Sequence, residues 1–427
     1  MRLCFIADAR SPIAQNWIGH FVDLGHDVYV ISSYPCEPDL IPGTHFETVL
    51  FGLTQLSRIR HDGAVVSGST NSQAESAQPA KKSITKTTLA QLRNGQFKFL
   101  ARFVTNWLVP VDLYWQRNQL KAAIERIQPD IVHAMRISRE GIAAAYATPE
   151  HIPLVLSVWG NDFTLWAINN PLRGHQTRMA LQRMDGLFSD CHRDIRLAKE
   201  WGLEDTTPIL VVPGAGGLDI TKFVPDGEST AIREKYDIPA DAVLLINPRG
   251  IRNYVRNDVF FKALPKVIDA CPDAYFLCID MQGNAVVDQW IGHDNVREKV
   301  RLLPKMPHSE MANLYRAADI SVSPSEHDGT PNSLLEAMAS GCFVVAGNIE
   351  SVAEWITHGQ NGLLYDPTDS DALAEALIKA IQDADMRTRG AKMSREIIEQ
   401  RADQKAVIPQ AEAFYETVLA MHRETIS

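Results

Sequence analysis

The sequence predicts an α/β protein of two doubly wound domains, each with a parallel sheet covered by helices. Short apolar runs alternate with amphipathic helical patterns along almost the whole chain, which is the order of parallel strands joined by crossover helices. The alternation forms two separate series. The 427 residues are enough for two or three domains of roughly 150 residues each.

The N-terminal series accounts for the first predicted sheet. Its predicted strands are Arg2–Ala7, Val28–Ser32, Ile131–Ala134, Leu154–Val158, Gly186–Ser189 and Ile209–Val212. Helical patterns separate them at Ile13–Leu24, Leu113–Ile127 and Ile195–Trp201. Strands that read as continuous apolar runs are typical of parallel sheets with both faces covered.

The C-terminal series accounts for the second sheet. Its predicted strands are Ala242–Asn247, Ala274–Ile279, Val300–Leu303, Ile320–Ser323, Phe343–Ala346 and Leu363–Tyr365. Helical patterns occur at Asp258–Ala270, Glu310–Ala317, Ser333–Ala339 and Ser370–Ile381. The polar segment at 224–232, which carries Pro and Gly, predicts the boundary. We therefore expect domains at 1–228 and 229–400, followed by a C-terminal segment, 401–427, with a helix at Lys405–Ile426.

One region, at about 55–110, departs from the strand and helix pattern and is predicted to be a polar and basic insertion. Residues 55–88 are rich in Ser, Thr and Gln, so we expect a loop there. From Arg58 to Lys121 the chain has ten Lys or Arg and three Asp or Glu. A basic amphipathic helix in this region would suit an anionic membrane surface, or it would simply cover its own domain.

Composition excludes some classes of protein. The net charge of −10 argues against nucleic-acid binding by bulk electrostatics. The six cysteines are scattered without a C-x-x-C pair, which favours reduced thiols in a cytoplasmic compartment. The N-terminus shows no signal-peptide pattern, and no apolar run approaches the length of about 18 residues needed to span a membrane.

The most informative stretch runs from Ser323 to Gly341 and reads SPSEHDGTPNSLLEAMASG. It joins a predicted strand to a helix beginning near Pro331. Ligands of open α/β sheets lie beyond the carboxyl ends of strands, and helix N-termini suit phosphates. Two carboxylates beside a phosphate would repel it unless they bind neutral hydroxyls, as Asp328 and Glu336 would do with sugar rings. A phosphate between two polyhydroxyl rings describes a nucleotide sugar.

This stretch resembles the signature of retaining glycosyltransferases of the GT-B fold, in the group called family 4. Their pattern is an acidic residue, seven others, then Glu followed by Ala-Met-Ala-x-Gly. Here Asp328 takes the first position, where Glu is usual. The resemblance implies two Rossmann-like domains facing a central cleft.

By that resemblance, each part of the motif has a donor-binding role. Glu336 would hold the ribose hydroxyls, and Asp328 would contact the transferred sugar. The diphosphate would lie on the turn that supplies Gly329, Thr330, Asn332 and Ser333. The alternative is a solvated acid and a helix-capping acid.

The leaving diphosphate needs positive charge. The resemblance assigns this to Arg249, which follows the first strand of the C-terminal domain. The usual Lys is replaced by Tyr254, so Arg256, or else Arg252, would supply the second cation. Surface arginines on a loop are the alternative.

The acceptor cleft is expected at the end of the strand Leu154–Val158. Relatives often carry a His-Gly-x-Asp-like segment there, and this chain has Trp159, Gly160, Asn161 and Asp162. Trp159 cannot act as a base, but it would stack on a sugar or else pack in the core. Asp162 is a candidate catalytic residue. His133, at the end of another strand, is either a cleft residue or a structural histidine.

The first strand-to-helix turn offers weaker candidates, because the usual Gly-Gly pair is absent. Arg10 or Asn16 would reach the cleft from there. There is no D-x-D between a strand and a turn, no H-E-x-x-H and no cysteine quartet, so no metal site and no cofactor are expected.

The predicted function is transfer of a sugar from a nucleotide-sugar donor to an acceptor hydroxyl, with retention and without a metal. The acceptor would be a glycan or lipid-linked saccharide, and the protein would be cytoplasmic and peripheral to the membrane. A sugar-nucleotide epimerase or a non-catalytic sugar-nucleotide sensor remains an alternative. The base, the sugar and the acceptor stay open.

Overall fold

A computed structural model describes residues 1–50, 108–227, 230–292 and 294–426. These residues form two parallel sheets, one of seven strands and one of six. All pairs of neighbouring strands are parallel, and helices cover both faces of each sheet. The predicted fold class of two Rossmann-like domains is therefore confirmed.

The N-terminal sheet has the order β3-β2-β1-β4-β5-β6-β7. Its strands are β1 Arg2–Ala7, β2 Asp27–Ser32, β3 His45–Thr48, β4 Ile131–Ala134, β5 Leu154–Val158, β6 Gly186–Ser189 and β7 Ile209–Val211. The central strands are almost entirely buried because helices pack on both faces. β3 was not predicted, since it is a half-exposed edge strand.

The C-terminal sheet has the order β10-β9-β8-β11-β12-β13. Its strands are β8 Val243–Asn247, β9 Ala274–Cys278, β10 Val300–Leu302, β11 Ile320–Ser323, β12 Phe343–Gly347 and β13 Gly362–Tyr365. After β8 the chain adds β9 and β10 on one side, and it then returns to add β11, β12 and β13 on the other side. The carboxyl ends of β8 and β11 thus form the switch point at which ligands usually bind.

The helices lie between the strands and supply most of the remaining core. In the N-terminal domain they are α1 Pro12–Asp23, α2 Val109–Trp115, α3 Arg117–Ile127, α4 Ile142–Ala147, α5 Pro171–Arg183 and α6 His192–Glu200. The next ones are α7 Thr230–Lys235, α8 Asn257–Ala270, α9 Ala285–Ile291, α10 Asp294–Lys299, α11 His308–Ala317 and α12 Asn332–Ala339. The last four are α13 Glu350–Ala353, α14 Ser370–Gln382, α15 Ala384–Arg401 and α16 Gln404–Ile426.

The C-terminal helix α16 leaves the second domain and packs on the first. Val407, Phe414, Tyr415 and Val418 join the core cluster that contains Trp17 of α1. The Trp17 indole N–H donates to the Tyr415 hydroxyl at 3.1 Å. This helix therefore completes the N-terminal core from the far end of the chain.

Some predictions cannot be compared with the structure. The polar loop at 55–88 and most of the basic segment lie outside the described residues, as do residues 228 and 229 at the expected domain boundary. Among the helices that are described, none combines the length and the apolar character needed to cross a bilayer.

Candidate functional site

The turn between β11 and α12 lies at the switch point of the C-terminal sheet. Pro331 caps the helix rather than occupying its first position, with φ −71° and ψ 118°, and the helix begins at Asn332. The first N–H groups of a helix have no acceptor within it, so those of Asn332 and Ser333 are suited to bind an anion. The structure thus forms the amide-rich turn that the sequence predicts.

Arg249 joins this turn to the helix. Its Nη2 donates to Asp328 Oδ2 at 2.5 Å, and its Nη1 donates to Ser333 Oγ at 3.1 Å. The guanidinium therefore lies beside the start of α12, where its charge adds to that of the helix dipole. Asp328, Arg249 and Ser333 are brought together although about 80 residues separate Arg249 from the other two.

Glu336 lies on α12 and is only 7% exposed. Its Oε1 is 2.9 Å from Nε2 of His308, the first residue of α11. The hydrogen bond to Glu336 raises the pKa of His308, against a smaller opposing effect of burial. The His308 side chain is 64% exposed and contacts the ring of Phe223 in the segment that leads between the domains. Glu336 itself is therefore buried, and its partner His308 is the exposed member of the pair, beside Phe223.

Arg256 is held by two carboxylates. Its Nε and Nη2 donate to both oxygens of Asp258, at 2.9 and 2.8 Å, and its Nη1 donates to Glu326 at 3.2 Å. The hydrogen bonds with Asp258 raise the pKa of Arg256. Much of its charge is thus already compensated before any ligand binds. Arg252, the other candidate for the second cation, is exposed.

The N-terminal domain contacts the turn directly through Gly160. This residue has φ +68°, and a Cβ added to it would collide with the backbone nitrogen of Gly329. A Cβ on Gly329 would likewise collide with the carboxylate of Asp190, which follows β6. Thr330 Oγ1 donates to the carbonyl of Asp190 at 2.5 Å. Two glycines without side chains therefore allow the loops of the two domains to touch at the turn between β11 and α12.

Arg193 holds the same contact together. It donates to the carbonyl of Gly160 in its own domain and to the carbonyl of Asp328 in the other, both at 2.5 Å. Asp194 accepts from Arg193 and from the N–H of Gly160. Arg193 and Asp194 lie in the first turn of α6, soon after β6. They were not predicted as site residues, although the strand-end rule used for β11 points to this place as well.

Asp190 is the most perturbed carboxyl group at this contact. Burial raises its pKa well above the usual value, and the charges of Asp194 and Asp328 add to this. Asp190, Cys191 and Asp194 also place potential ligand atoms within 4.8 Å of one another. Burial raises the pKa of the Cys191 thiol, so it stays protonated, and Asp194 is already bound by Arg193. We therefore assign no metal to this group.

Asp162 is not a catalytic group in this structure. Its side chain is fully buried, and its Oδ2 accepts from the N–H of Trp159 at 2.9 Å. Its Oδ1 faces Arg136 at 3.4 Å. The carboxylate thus shapes the loop after β5. Trp159 is partly buried against the N-terminal core, and Asn161 lies beside Gly160 with its side-chain oxygen buried.

His133 is a structural histidine, which corrects its assignment to the acceptor cleft. It is 2% exposed, and its two ring nitrogens lie 2.6 Å from the hydroxyls of Tyr415 and Ser157. Burial lowers the pKa of His133 to about 3. The ring therefore stays neutral and joins α16 to the sheet.

The two domains leave a small cavity behind this contact. It has a volume of about 220 Å³ and is lined by residues that include Asp190, Pro213, Trp355 and Arg401. Sites for small organic ligands usually measure roughly 300–1,000 Å³. This cavity is smaller than such sites, and Arg249, Ser333 and Glu336 do not line it.

Comparison with family models gives two matches. Residues 228–397 match the model described as glycosyl transferases group 1, and residues 89–190 match the one described as glycosyl transferase 4-like. The first includes β8 to β13 with Arg249, Asp328 and Glu336. The second includes the loop after β5.

Curated relatives carry transferase or synthase names. The chain is 22% identical over 318 residues to N-acetyl-α-D-glucosaminyl L-malate synthase of Bacillus anthracis, covering 73% of this chain and 80% of that protein. It is 26% identical over 229 residues to D-inositol 3-phosphate glycosyltransferase of Thermobifida fusca, covering 51% of each. The chain thus spans about half the length of the second relative.

Solved structures share the whole architecture. HepE of Anabaena, solved in complex with UDP, has a TM-score of 0.71 and 15% identity, and the match covers 98% of this chain and 100% of that one. Sucrose-phosphate synthase from Thermosynechococcus elongatus has a TM-score of 0.72 and 15% identity, and the match covers 99% and 100%. These likenesses show the fold, and the glycosyl transferases group 1 and glycosyl transferase 4-like matches cover residues 228–397 and 89–190 of the chain. The chain is a glycosyltransferase of the GT-B fold.

Proposed function

We propose that this glycosyltransferase takes its sugar from a nucleotide-sugar donor bound at the start of α12. The observation that supports the proposal best is the bridge from Arg249 to Asp328 and Ser333. It places one cation between a carboxylate suited to sugar hydroxyls and the free amides suited to a phosphate. Glu336, about one turn further along the helix, would accept from the ribose hydroxyls.

The chemistry would proceed as follows. The bond between the anomeric carbon of the sugar and the diphosphate oxygen breaks, and its electron pair leaves with the diphosphate. Arg249 and the amides of Asn332 and Ser333 stabilise the charge that develops there. An acceptor hydroxyl forms the new bond from the same face and passes its proton to the departing diphosphate, so configuration is retained. We propose that no metal ion is needed, because these groups supply the positive charge.

A panel of sugar nucleotides tests this proposal. Release of nucleoside diphosphate from UDP-, GDP-, dTDP- or ADP-sugars, unaffected by EDTA, is the expected result. Arg249→Ala is expected to reduce that release. Arg2→Ala, at the start of β1 in the other domain, is not expected to change it. An epimerised nucleotide sugar formed without any acceptor would instead indicate an isomerase, and tight donor binding without turnover would indicate a sensor.

We also propose that the acceptor is presented at an anionic membrane surface. Leu108, Val111 and Trp115 are exposed and spaced to share one face of α2, and Trp115 is 70% exposed. The basic residues Arg117 and Lys121 follow in α3. Apolar and aromatic side chains beside Lys and Arg suit the surface of an anionic bilayer.

Vesicle sedimentation tests this part separately. Binding to vesicles that contain an anionic lipid should exceed binding to neutral ones, and Trp115→Ser should weaken it. Val286→Ser removes an apolar side chain that is 45% exposed on the C-terminal domain, so it serves as the matched control. Equal binding to both kinds of vesicle would refute the membrane proposal but leave the donor site untouched.

A further inference from the structure

Four arginines gather at the carboxyl end of the N-terminal sheet. They lie across from the turn between β11 and α12, residues 328–331, which we call the donor turn. Arg10 follows β1, Arg136 and Arg139 follow β4, and Arg173 lies in the first turn of α5. Two of these arginines lie over one aromatic ring, and the other two lie over a second ring. Arg10 and Arg139 lie over Tyr34 at 4.3 and 5.4 Å, and Arg136 and Arg173 lie over Trp166 at 5.8 and 5.2 Å.

Among the described residues, carboxylates also lie near these arginines. Asp8 accepts from Arg10 at 3.0 Å, and Asp162 lies 3.4 Å from Arg136. The third acid, Glu140, is 3% exposed and accepts from Ser33 at 2.7 Å through one oxygen.

Arg139 is the most informative member of the group. It is 9% exposed, and its Nη1 is buried and has no hydrogen-bond partner among the described residues. Burial lowers the pKa of Arg139, the charges of Glu140 and Asp162 raise it, and the charge of Arg10 lowers it. Burial lowers the pKa of Arg173 to about 10, and the charge of Arg139 contributes. Like charges are thus held close together in a poorly solvated place.

Such an arrangement is costly in the absence of a ligand. A buried guanidinium without a full set of acceptors loses its solvation without gaining an equivalent partner. An oxyanion is the ligand that matches it, because a planar guanidinium donates to phosphate or carboxylate in a two-point geometry. The aromatic rings beneath the guanidinium groups hold them in place without using their N–H donors.

The arginines also lie on the reaction side of the domain. Arg136 contacts Asp162, which belongs to the same loop as Gly160, and Gly160 contacts Gly329 of the donor turn. We propose that the acceptor carries an oxyanion group, a phosphate or a carboxylate, and that Arg139 and Arg10 bind it. This inference rests on the proposed function, since it names the acceptor class of the same site.

The alternative is that the arginines only fix the loops through their aromatic contacts. In that case the cluster would hold the loops equally well without any anion. Binding of anions by the protein would then be weak and would not depend on Arg139 or Arg10.

Thermal shift measurements on the full chain distinguish the two. The probes are inorganic phosphate and three sugars that differ at one carbon: glucose, glucose 6-phosphate and glucuronate. We expect stabilisation by phosphate and by the charged sugars in the presence of UDP, and none by glucose. Arg139→Gln should raise the dissociation constant for the anions about tenfold or more, because a charge-assisted hydrogen bond is lost.

Arg10→Gln provides a second test that does not disturb the interior, because the side chain of Arg10 is 42% exposed. It should weaken anion binding roughly two- to fivefold, as expected for a half-exposed charge. Arg2→Gln is the matched control, since Arg2 is 43% exposed and is paired with Asp27 at the opposite end of the sheet. That variant should bind the anions like the wild type.

Three results would overturn the inference: stabilisation by glucose equal to that by glucose 6-phosphate, no stabilisation by phosphate, or unchanged anion binding in both Arg139→Gln and Arg10→Gln. UDP binding is measured on the same samples. If UDP binds and the anions do not, the inference falls alone. If none of UDP, GDP, dTDP and ADP binds, the proposed donor site falls, whatever the anions do.

Discussion

Asp328 and Glu336 lie eight positions apart, but the structure gives their side chains different neighbours. Asp328 is bound by Arg249 near the place proposed for the transferred sugar, and Glu336 is bound by His308 near the place proposed for the ribose. The two acids should therefore affect different kinetic quantities. Their separate effects are a test of the roles proposed for them.

Asp328→Asn should reduce donor turnover and leave UDP binding intact. The sugar would lose a charge-assisted hydrogen bond worth about 1.5–3 kcal/mol, which corresponds to roughly 10- to 100-fold in kcat/KM. UDP lacks the sugar, so its dissociation constant should stay the same or decrease, because Arg249 is released from its partner. Steady-state kinetics and calorimetry with UDP measure the two quantities. A matching loss of UDP affinity would contradict the role of Asp328.

UDP affinity should depend on the protonation of His308. The pKa of His308 is raised, so the ion pair with Glu336 is complete below the ordinary value of about 6.5 and is lost as the pH rises through the raised value. The protonated ring competes for the carboxylate that the ribose would need, whereas Lys222 nearby opposes protonation. UDP should thus bind roughly two- to fivefold more weakly at acidic pH than at alkaline pH, as expected for a half-exposed ion pair.

Titration of the UDP dissociation constant between about pH 5.5 and 8.5 checks this dependence on His308. His308→Gln keeps a polar side chain but cannot ionise, so its profile should be flatter. A profile that is unchanged by this substitution would show that another group is responsible.

The sequence revealed only part of the residue-level site. Asp328, Glu336, Arg249 and Ser333 were predicted as site residues because they lie within or near a recognisable motif, and the structure brings Asp328, Arg249 and Ser333 together. His308 and Arg193 were missed, since each reaches the site through tertiary contacts that no local pattern records. Asp162 and His133 were misplaced for the same reason: a strand end predicts proximity to the cleft, not the direction in which a side chain points.

At the scale of elements, strand prediction succeeded where the strand is buried on both faces. β1, β4, β5, β6 and β11 have the predicted bounds. Helix α5 was missed because its buried face includes Arg173, Gly174, Gln176 and Thr177, so it shows little apolar periodicity. The predicted helix Leu113–Ile127 is divided in the structure at Gln116 into α2 and α3.

Helix α16 depends on one buried polar network. The Tyr415 hydroxyl joins Nδ1 of His133 to the indole of Trp17. Tyr415→Phe would leave both groups without this partner in the interior, which should cost about 1–3 kcal/mol of unfolding free energy.

Chemical denaturation of Tyr415→Phe measures this cost. Tyr114→Phe is the matched control, because Tyr114 is 43% exposed and its loss should change stability little. Activity of the folded Tyr415→Phe variant should remain close to that of the wild type, since the network lies away from the donor turn. Equal stability of the two variants would show that the network does not hold α16 in place.

For the molecule as a whole, the two domains meet at the donor turn itself. Gly160, Asp190 and Arg193 of the first domain contact residues 328–330 of the second. A nucleotide sugar bound at the start of α12 would lie next to these contacts. Domain closure and donor binding should therefore be coupled, with closure excluding water from the reacting sugar.

Asp190→Asn should make the protein more stable at neutral and alkaline pH. The raised pKa of Asp190 means that the folded state favours the protonated acid. Protonation of Asp190 stabilises the folded state in full below the ordinary pKa of an aspartic acid, about 3.9. This stabilisation is lost as the pH rises through the raised pKa. Asn resembles the protonated form at every pH, and it also spares Asp328 and Asp194 a nearby negative charge.

Thermal unfolding between about pH 5 and 8 checks the effect of Asp190→Asn. The advantage of the variant over the wild type should grow as the pH rises. A variant that is less stable by the same amount at every pH would show that the ionised carboxylate is required at this contact.

The central claim is that a nucleoside diphosphate binds at the start of α12 with its ribose held by Glu336, and calorimetry with UDP tests it most directly. Glu336→Ala should weaken binding roughly 10- to 100-fold, the effect of removing charge-assisted hydrogen bonds to the ribose. Glu310→Ala, which removes an exposed acid from α11, should bind UDP like the wild type. If Glu336→Ala also binds UDP with the wild-type affinity, the donor site proposed here is wrong.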